Sequence, residues 1–136
     1  MRRILFLVFI LCLLNGSKSS AQSSKDSLWF RTHYTKSEQM IKMRDGVKLF
    51  TAIYRPIDTI SKHPILMMRT PYSCAPYGEQ NYRELGLSSY ASFIKAGYIF
   101  VFQDVRGRYM SEGNFEDIRP LKPIYRSKTE TDEATD

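Results

Sequence analysis

"PILMMRTPYS", residues Pro64 to Ser73, is the stretch on which the fold turns. Ile65 to Arg69 is a short, continuous apolar run, the pattern of a strand buried on both faces of a sheet. Such strands occur where helices cover a sheet from both sides, so an α/β domain is expected. Pro71 biases Thr70 toward extended geometry, which carries the strand direction up to Tyr72. Tyr72 is then either a packed aromatic that closes the strand or a hydroxyl aimed at something reactive.

Downstream, residues 71–87 form an irregular stretch holding Tyr72, Tyr77 and Tyr82. Ser88 to Ala96 reads as a helix, with Ser88 as N-cap, Tyr90, Phe93 and Ile94 on one side, and Gly97 at the C-terminal cap. "YIFVFQ", Tyr98 to Gln103, is a second continuous apolar run, and Asp104 opens the polar loop "DVRGRYMSEGNF". Strand, helix and strand in this order make a parallel crossover. Pro120 and Pro123 follow, and in "SKTETDEATD" Thr131 and Asp132 are N-cap candidates with acids after them.

Upstream, Val47, Leu49, Thr51 and Ile53 alternate with Lys48, Phe50, Ala52 and Tyr54, the period of a strand. Gln39 to Met43 is a shorter run before it, and Asp45-Gly46 between them supplies the positive φ angles of a tight hairpin turn. Pro56 ends the second strand because it lacks the ladder N–H. Buried parallel strands need helices on both faces, and only one complete helix is legible. The expected fold is therefore an incomplete α/β domain, the front part of a longer protein; the alternative is a small α+β domain complete as written.

The chain begins differently. Met1-Arg2-Arg3 is a basic start, Ile4 to Leu14 is unbroken apolar sequence, and Ser19-Ser20-Ala21 places small residues before Gln22. This is the layout of a secretory signal cleaved near Ala21-Gln22, with export to the periplasm or outside the cell; an uncleaved anchor is the alternative. Residues 22–33 read as a polar leader and 34–136 as the domain. Cleavage leaves 115 residues (136 minus 21) and removes Arg2, Arg3 and Lys18, so 17 basic residues face 14 acidic ones and the net charge falls from +6 to +3. No cluster of Lys and Arg interleaved with aromatics remains, and nucleic acid is not an expected partner. Contact with a membrane is expected only through the transient signal. Cys74 is then the one cysteine, which rules out an intrachain disulfide and a thiol metal site.

A serine hydrolase needs a nucleophile at a strand-to-helix elbow, a histidine base and an orienting acid. "GLSSYAS", Gly86 to Ser92, imitates the elbow, but Tyr90 and Ala91 stand where the strained turn needs glycine. His33 lies near the leader, and His63 is at the entrance of the strand, opposite Tyr72. Active sites of open α/β sheets gather at the carboxyl ends of strands. Two features lie there: Tyr72, and "QDVRGRYMSEG". A phenol is protonated at neutral pH and can donate to a developing oxyanion.

"MRDGVKLFTAIYRP", "PILMMRTPY", "AGYIFVFQDVRGRYMSEGNF" and "TDEATD" together resemble the amino-terminal part of the alpha-amino-acid ester hydrolases. These belong to the larger X-Pro dipeptidyl-peptidase-like family, with cocaine esterase and the glutaryl acylases, and the resemblance extends from Tyr34 to Asp136. It implies an α/β-hydrolase domain using Ser, His and Asp, a helical cap and a carboxy-terminal jelly roll, with no metal or other cofactor. It implies that Tyr72 is an oxyanion-hole donor and that Asp104, Arg106, Gly107 and Gly113 structure a loop. The family's nucleophile elbow, G-x-S-Y-x-G, and the triad Asp and His should follow Asp136, so the chain alone is expected to be inactive. The implied substrate is a small ester or amide or a short peptide, and the oligomeric state stays open. The alternative function is a secreted binding or interaction protein that keeps half the scaffold without its chemistry.

Overall fold

The computed structural model describes residues 27–85, 89–117 and 120–132. Among these, helix α1 (27–33) leads directly into strand β1 (Tyr34–Lys42). Then come β2 (Lys48–Pro56), β3 (Ile65–Thr70), helix α2 (Ala91–Lys95) and β4 (Ile99–Asp104). The four strands form one mixed sheet in the order β1-β2-β4-β3. β1 and β4 both run antiparallel to β2, and β3 runs parallel to β4. The crossover expected from the sequence is thus present.

The strand alternation sorts the sheet into two unlike faces. Tyr54 and Ala52 on β2 stand opposite Phe100 and Phe102 on β4, and these aromatics pack with Phe30, Tyr34, Cys74, Leu85 and Ile94 into the core. Edge-on contacts recur there: Tyr54 meets Phe102 with centroids 5.9 Å apart, and Tyr90 meets Phe100 at 5.7 Å. Each such pair adds about 0.5–1.5 kcal/mol to area burial. On the other face Ile53, Val101 and Met67 lie side by side in register.

Among the described strands β3 lies at the edge of the sheet, the open edge expected of an incomplete α/β domain, and Ile65 and Met67 are 65% and 49% exposed. Three differences from the sequence reading have physical causes. β1 starts at Tyr34 rather than Gln39, because its inward positions are Tyr34 and Lys36, and a buried lysine breaks the apolar alternation. Residues 27–33, read as the end of a polar leader, are helical and put Phe30 into the core at 1% exposure, so the folded chain begins upstream of residue 34. The hairpin has three loop residues, not two positive-φ residues. Gly46 N–H donates to Met43 O, Met43 N–H donates to Val47 O, and only Gly46 (φ +95°) is left-handed.

Helix α2 is shorter than expected, and Ser88, the expected N-cap, lies outside the described residues, as do 133–136 of the second expected helix start. The carboxyl end of α2 follows the Schellman pattern. Gly97 (φ +74°) donates to Ile94 O, Tyr98 donates to Phe93 O, and the Phe93 and Tyr98 rings meet 5.1 Å apart.

Candidate active site

The carboxyl ends of β3 and β4 adjoin, as the parallel register Thr70–Asp104 requires. From Thr70 the chain turns at once: Tyr72 N–H donates to Thr70 Oγ1 at 3.0 Å, and Ser73 adopts φ +77°. Tyr72 is 82% exposed, and no described residue hydrogen-bonds its hydroxyl. Within the described residues its ring is not packed.

Asp104 holds the loop behind Tyr72. Its carboxylate is fully buried, and Oδ1 accepts from Cys74 N–H at 2.8 Å. Oδ2 accepts from the Tyr77 hydroxyl at 2.9 Å and, more weakly, from Met110 N–H at 3.5 Å. A buried carboxylate requires several donors of this kind. The same residue ties the two loops together, since Cys74 and Tyr77 belong to one and Met110 to the other. Burial, with the nearby Asp104 charge next, pushes the Cys74 thiol up to about 12. Burial also pushes the Tyr77 phenol up to about 12. Cys74 is thus no nucleophile at neutral pH. We expect a thiol reagent at pH 8 to leave Cys74 unmodified in the native fold and to label it on denaturation; rapid labelling of the native protein would contradict this burial.

The loop after β4 is fastened to β2. Glu112 N–H donates to Lys48 O, Lys48 N–H donates to Glu112 Oε2, and Phe50 N–H donates to Ser111 Oγ, which itself donates to Asp104 O. Gly107 (φ +67°) donates to Glu112 O, and a Cβ there would lie 2.0 Å from Phe115 N. Gly113 (φ +90°) packs against the Arg106 stem, with its ideal Cβ position 2.8 Å from Arg106 Cγ.

Arg106 reaches across to the β1–β2 hairpin. Its Nη1 donates to Asp45 Oδ2 at 2.7 Å and its Nη2 to Asp45 Oδ1 at 3.3 Å, a bidentate pair. Desolvation works upward on the Asp45 carboxyl, but the Arg106 bond and the Val47 N–H outweigh it and hold the group below its ordinary value. The folded pKa is depressed, so this stabilisation is present above the unfolded pKa, near about 4, and is lost as pH falls through the folded pKa. Asp45→Asn should cost about 1–3 kcal/mol at pH 7, read from urea midpoints. The gap between variant and wild type should close below pH of about 4; a gap that persists in acid would discount the ion pair.

Sequence reasoning missed Lys36 and Tyr77 as supports of this site. Lys36 follows Tyr34 by two, so the strand period places both on the inner face once β1 is known to start at Tyr34. His63 is half-buried at the opposite end of the sheet, with Nδ1 2.7 Å from Gly97 O and Nε2 3.0 Å from Asp58 O. His33 stacks on Trp29, its Nδ1 2.8 Å from Trp29 O. The fold brings neither histidine to the carboxyl ends of the strands. Among the described residues no group of three or more His, Cys, Asp or Glu side chains gathers to hold a metal ion.

The mixed sheet, and the loops joined at the ends of its two parallel strands, define the opening part of an α/β-hydrolase domain. Residues 45–136 match the family model of the X-Pro dipeptidyl-peptidase (S15 family), and the chain belongs to that family. It is 37% identical over 79 residues to cocaine esterase from Rhodococcus sp. (strain MB1 Bresler), an alignment covering 58% of this chain and 13% of that protein. Among solved structures, a selenomethionine-labelled alpha-amino acid ester hydrolase superposes with a TM-score of 0.60 at 43% identity, covering 76% of this chain and 17% of the other. An aminopeptidase from a marine sediment archaeon, Thaumarchaeota archaeon, gives a TM-score of 0.60 at 39% identity with the same coverages. The chain thus spans less than a fifth of the length of these relatives. The family and these relatives are hydrolases of ester or peptide bonds.

Proposed function

We propose that this chain is the amino-terminal part of an exported serine hydrolase that cleaves ester or amide bonds through an acyl-enzyme. Tyr72 would supply one oxyanion-hole donor, while the Ser, His and Asp would come from later chain. The observation that supports this best is the Tyr72 side chain: an exposed phenol with no described partner, at the carboxyl end of β3, on a loop fixed from behind by Asp104. Such a hydroxyl is free to bond an oxygen that gains charge only when a nucleophile attacks, and the loop that carries it is already fastened to Asp104.

The substrate is a small amino-acid ester or an X-Pro peptide, in keeping with the names of the family and its relatives, or an acyl side chain, for which the family resemblance alone speaks. A chromogenic ester offered to the complete protein tests the mechanism. A burst of released alcohol before the steady state marks the acyl-enzyme, and release at the uncatalysed rate would overturn the proposal. Amino-terminal sequencing of the exported product beginning at Gln22 tests the signal; a start at Met1 would refute cleavage.

The edge position of β3 and the half-exposed Ile65 and Met67 favour a second reading, a secreted binding protein that takes up a partner strand. Cooperative unfolding of the isolated chain would support it, and the aggregation typical of an incomplete core would count against it.

A further inference from the structure

The Lys36 ammonium is fully buried and sits in a cage built by the loop that follows Tyr72. Nζ donates to Pro76 O at 2.7 Å, Gly78 O at 2.9 Å and Asn81 O at 2.8 Å. These bonds use all three of its N–H groups. Glu38 Oε1, 2.6 Å away, is a fourth oxygen around the ammonium and supplies the opposite charge. The Tyr54 ring faces the ammonium at 5.7 Å. A buried lysine is tolerated only when its charge and its donors are both met, and here a loop without regular structure meets them.

The cage continues toward Tyr72 by direct contacts. Pro76 and Gly78, two of the three acceptors, flank Tyr77, and the Tyr77 carbonyl accepts from Asn81 Nδ2 at 2.7 Å. The Tyr77 ring stands edge-on against Phe50, and its hydroxyl lies 2.9 Å from both Ser73 Oγ and Asp104 Oδ2. Ser73 Oγ also accepts from Ala75 N–H at 3.1 Å. Ser73 is the residue whose positive φ turns the chain immediately after Tyr72. Fixing Tyr77 therefore holds Ser73, the turn residue bonded directly to Tyr72.

We infer that Lys36 is a positioning residue for Tyr72: its buried ammonium organises the carbonyls of residues 76–81, and Tyr77 and Ser73 transmit that order to the candidate oxyanion donor. The inference rests on the oxyanion reading of Tyr72. It assigns a catalytic consequence to a β1 side chain on the core face of the sheet, reached only through the loop.

Lys36→Ala in the complete enzyme tests it, with kcat and KM measured separately and Cys74 modification followed by mass spectrometry of its peptide. Cys74 reports on the loop because it lies between Tyr72 and the cage and is buried in the native fold. The expected result is a fall in kcat of about 10–10²-fold, the size typical of misplacing a reacting group by about 1 Å, with KM little changed. Cys74 should label faster. n-Propylammonium, which replaces the atoms lost from Cγ to Nζ, should restore both the rate and the protection.

Tyr77→Phe removes a hydroxyl that meets both Ser73 and Asp104 and keeps the ring packing, so it tests the Tyr77 step; Lys36→Met, which keeps most of the buried stem and loses only the charge and donors, tests the ammonium if Lys36→Ala fails to fold. Both should give the same split, kcat lowered and KM retained. Tyr72→Phe run alongside separates the two claims. An unchanged kcat there sinks the oxyanion reading. A kcat lost there but kept in Tyr77→Phe and Lys36→Ala overturns the positioning role alone.

Discussion

Tyr72→Phe is expected to lower kcat of the complete enzyme by about 10²–10³ while changing KM much less, the size seen on removing one oxyanion donor. The split follows from where the hydroxyl stands. It makes no hydrogen bond to any described residue, and the ring is 82% exposed, so the fold does not depend on the group removed. On the proposed role, a neutral substrate carbonyl would gain little from the phenol, whereas the tetrahedral oxyanion would gain a full hydrogen bond. Thermal stability of the variant should match wild type within about 0.5 kcal/mol, as for an exposed substitution that leaves no cavity. Unchanged kcat would remove Tyr72 from the mechanism. A large loss of stability would show that the ring is structural.

Gly107→Ala should destabilise the fold strongly, by about 2–5 kcal/mol. A left-handed φ of +67° costs an alanine about 1–2 kcal/mol, and relieving the overlap adds about 1–3 kcal/mol. The overlap is with backbone: the new Cβ would lie 2.0 Å from Phe115 N and 2.3 Å from Asn114 C. Neither atom can rotate away as a side chain does. Gly46→Ala is the control, because its φ is also positive (+95°) but its Cβ would meet only Lys42 Cε at 3.8 Å. Urea midpoints of the two variants isolate the overlap. Equal midpoints would mean that the crossing of residues 107 and 115 is looser than the geometry shows.

Much of the sheet was legible because its strands follow simple periods. The alternation from Val47 to Tyr54 gave β2, and the uninterrupted apolar run at Tyr98 gave β4 at the sheet's centre. Gly97 marked the end of α2 because only glycine suits that left-handed cap. "ILMM" has the composition of a central strand, and in this chain it lies at the edge of the described sheet, because composition does not say which neighbours are present. Tyr72 and Asp104 could be picked out by their places after apolar runs, together with the family resemblance.

The supports behind them were not legible, since they depend on contacts between distant residues. Asp45 read as a turn former, yet its carboxylate also binds Arg106, 61 residues later. Lys36 was not singled out, because nothing local indicates that carbonyls 40 to 45 residues away will enclose it. Gln103 looked like the polar end of a run. In the structure it receives Arg69 Nε on β3 and donates to Thr51 Oγ1 on β2, linking three strands by one side chain.

The strand order also bears on how the chain is made. β1 and β2 can close as a hairpin as soon as both exist, but β3 leaves the ribosome with no strand to join, since its partner β4 begins 34 residues later (99 minus 65). At roughly 5–20 residues per second, the "ILMM" segment waits about 2–7 s before β4 can pair with it. During that interval an apolar strand is open to any passing β edge, so chaperone capture of the nascent chain should peak after residue 70 emerges and decline once residue 104 has followed.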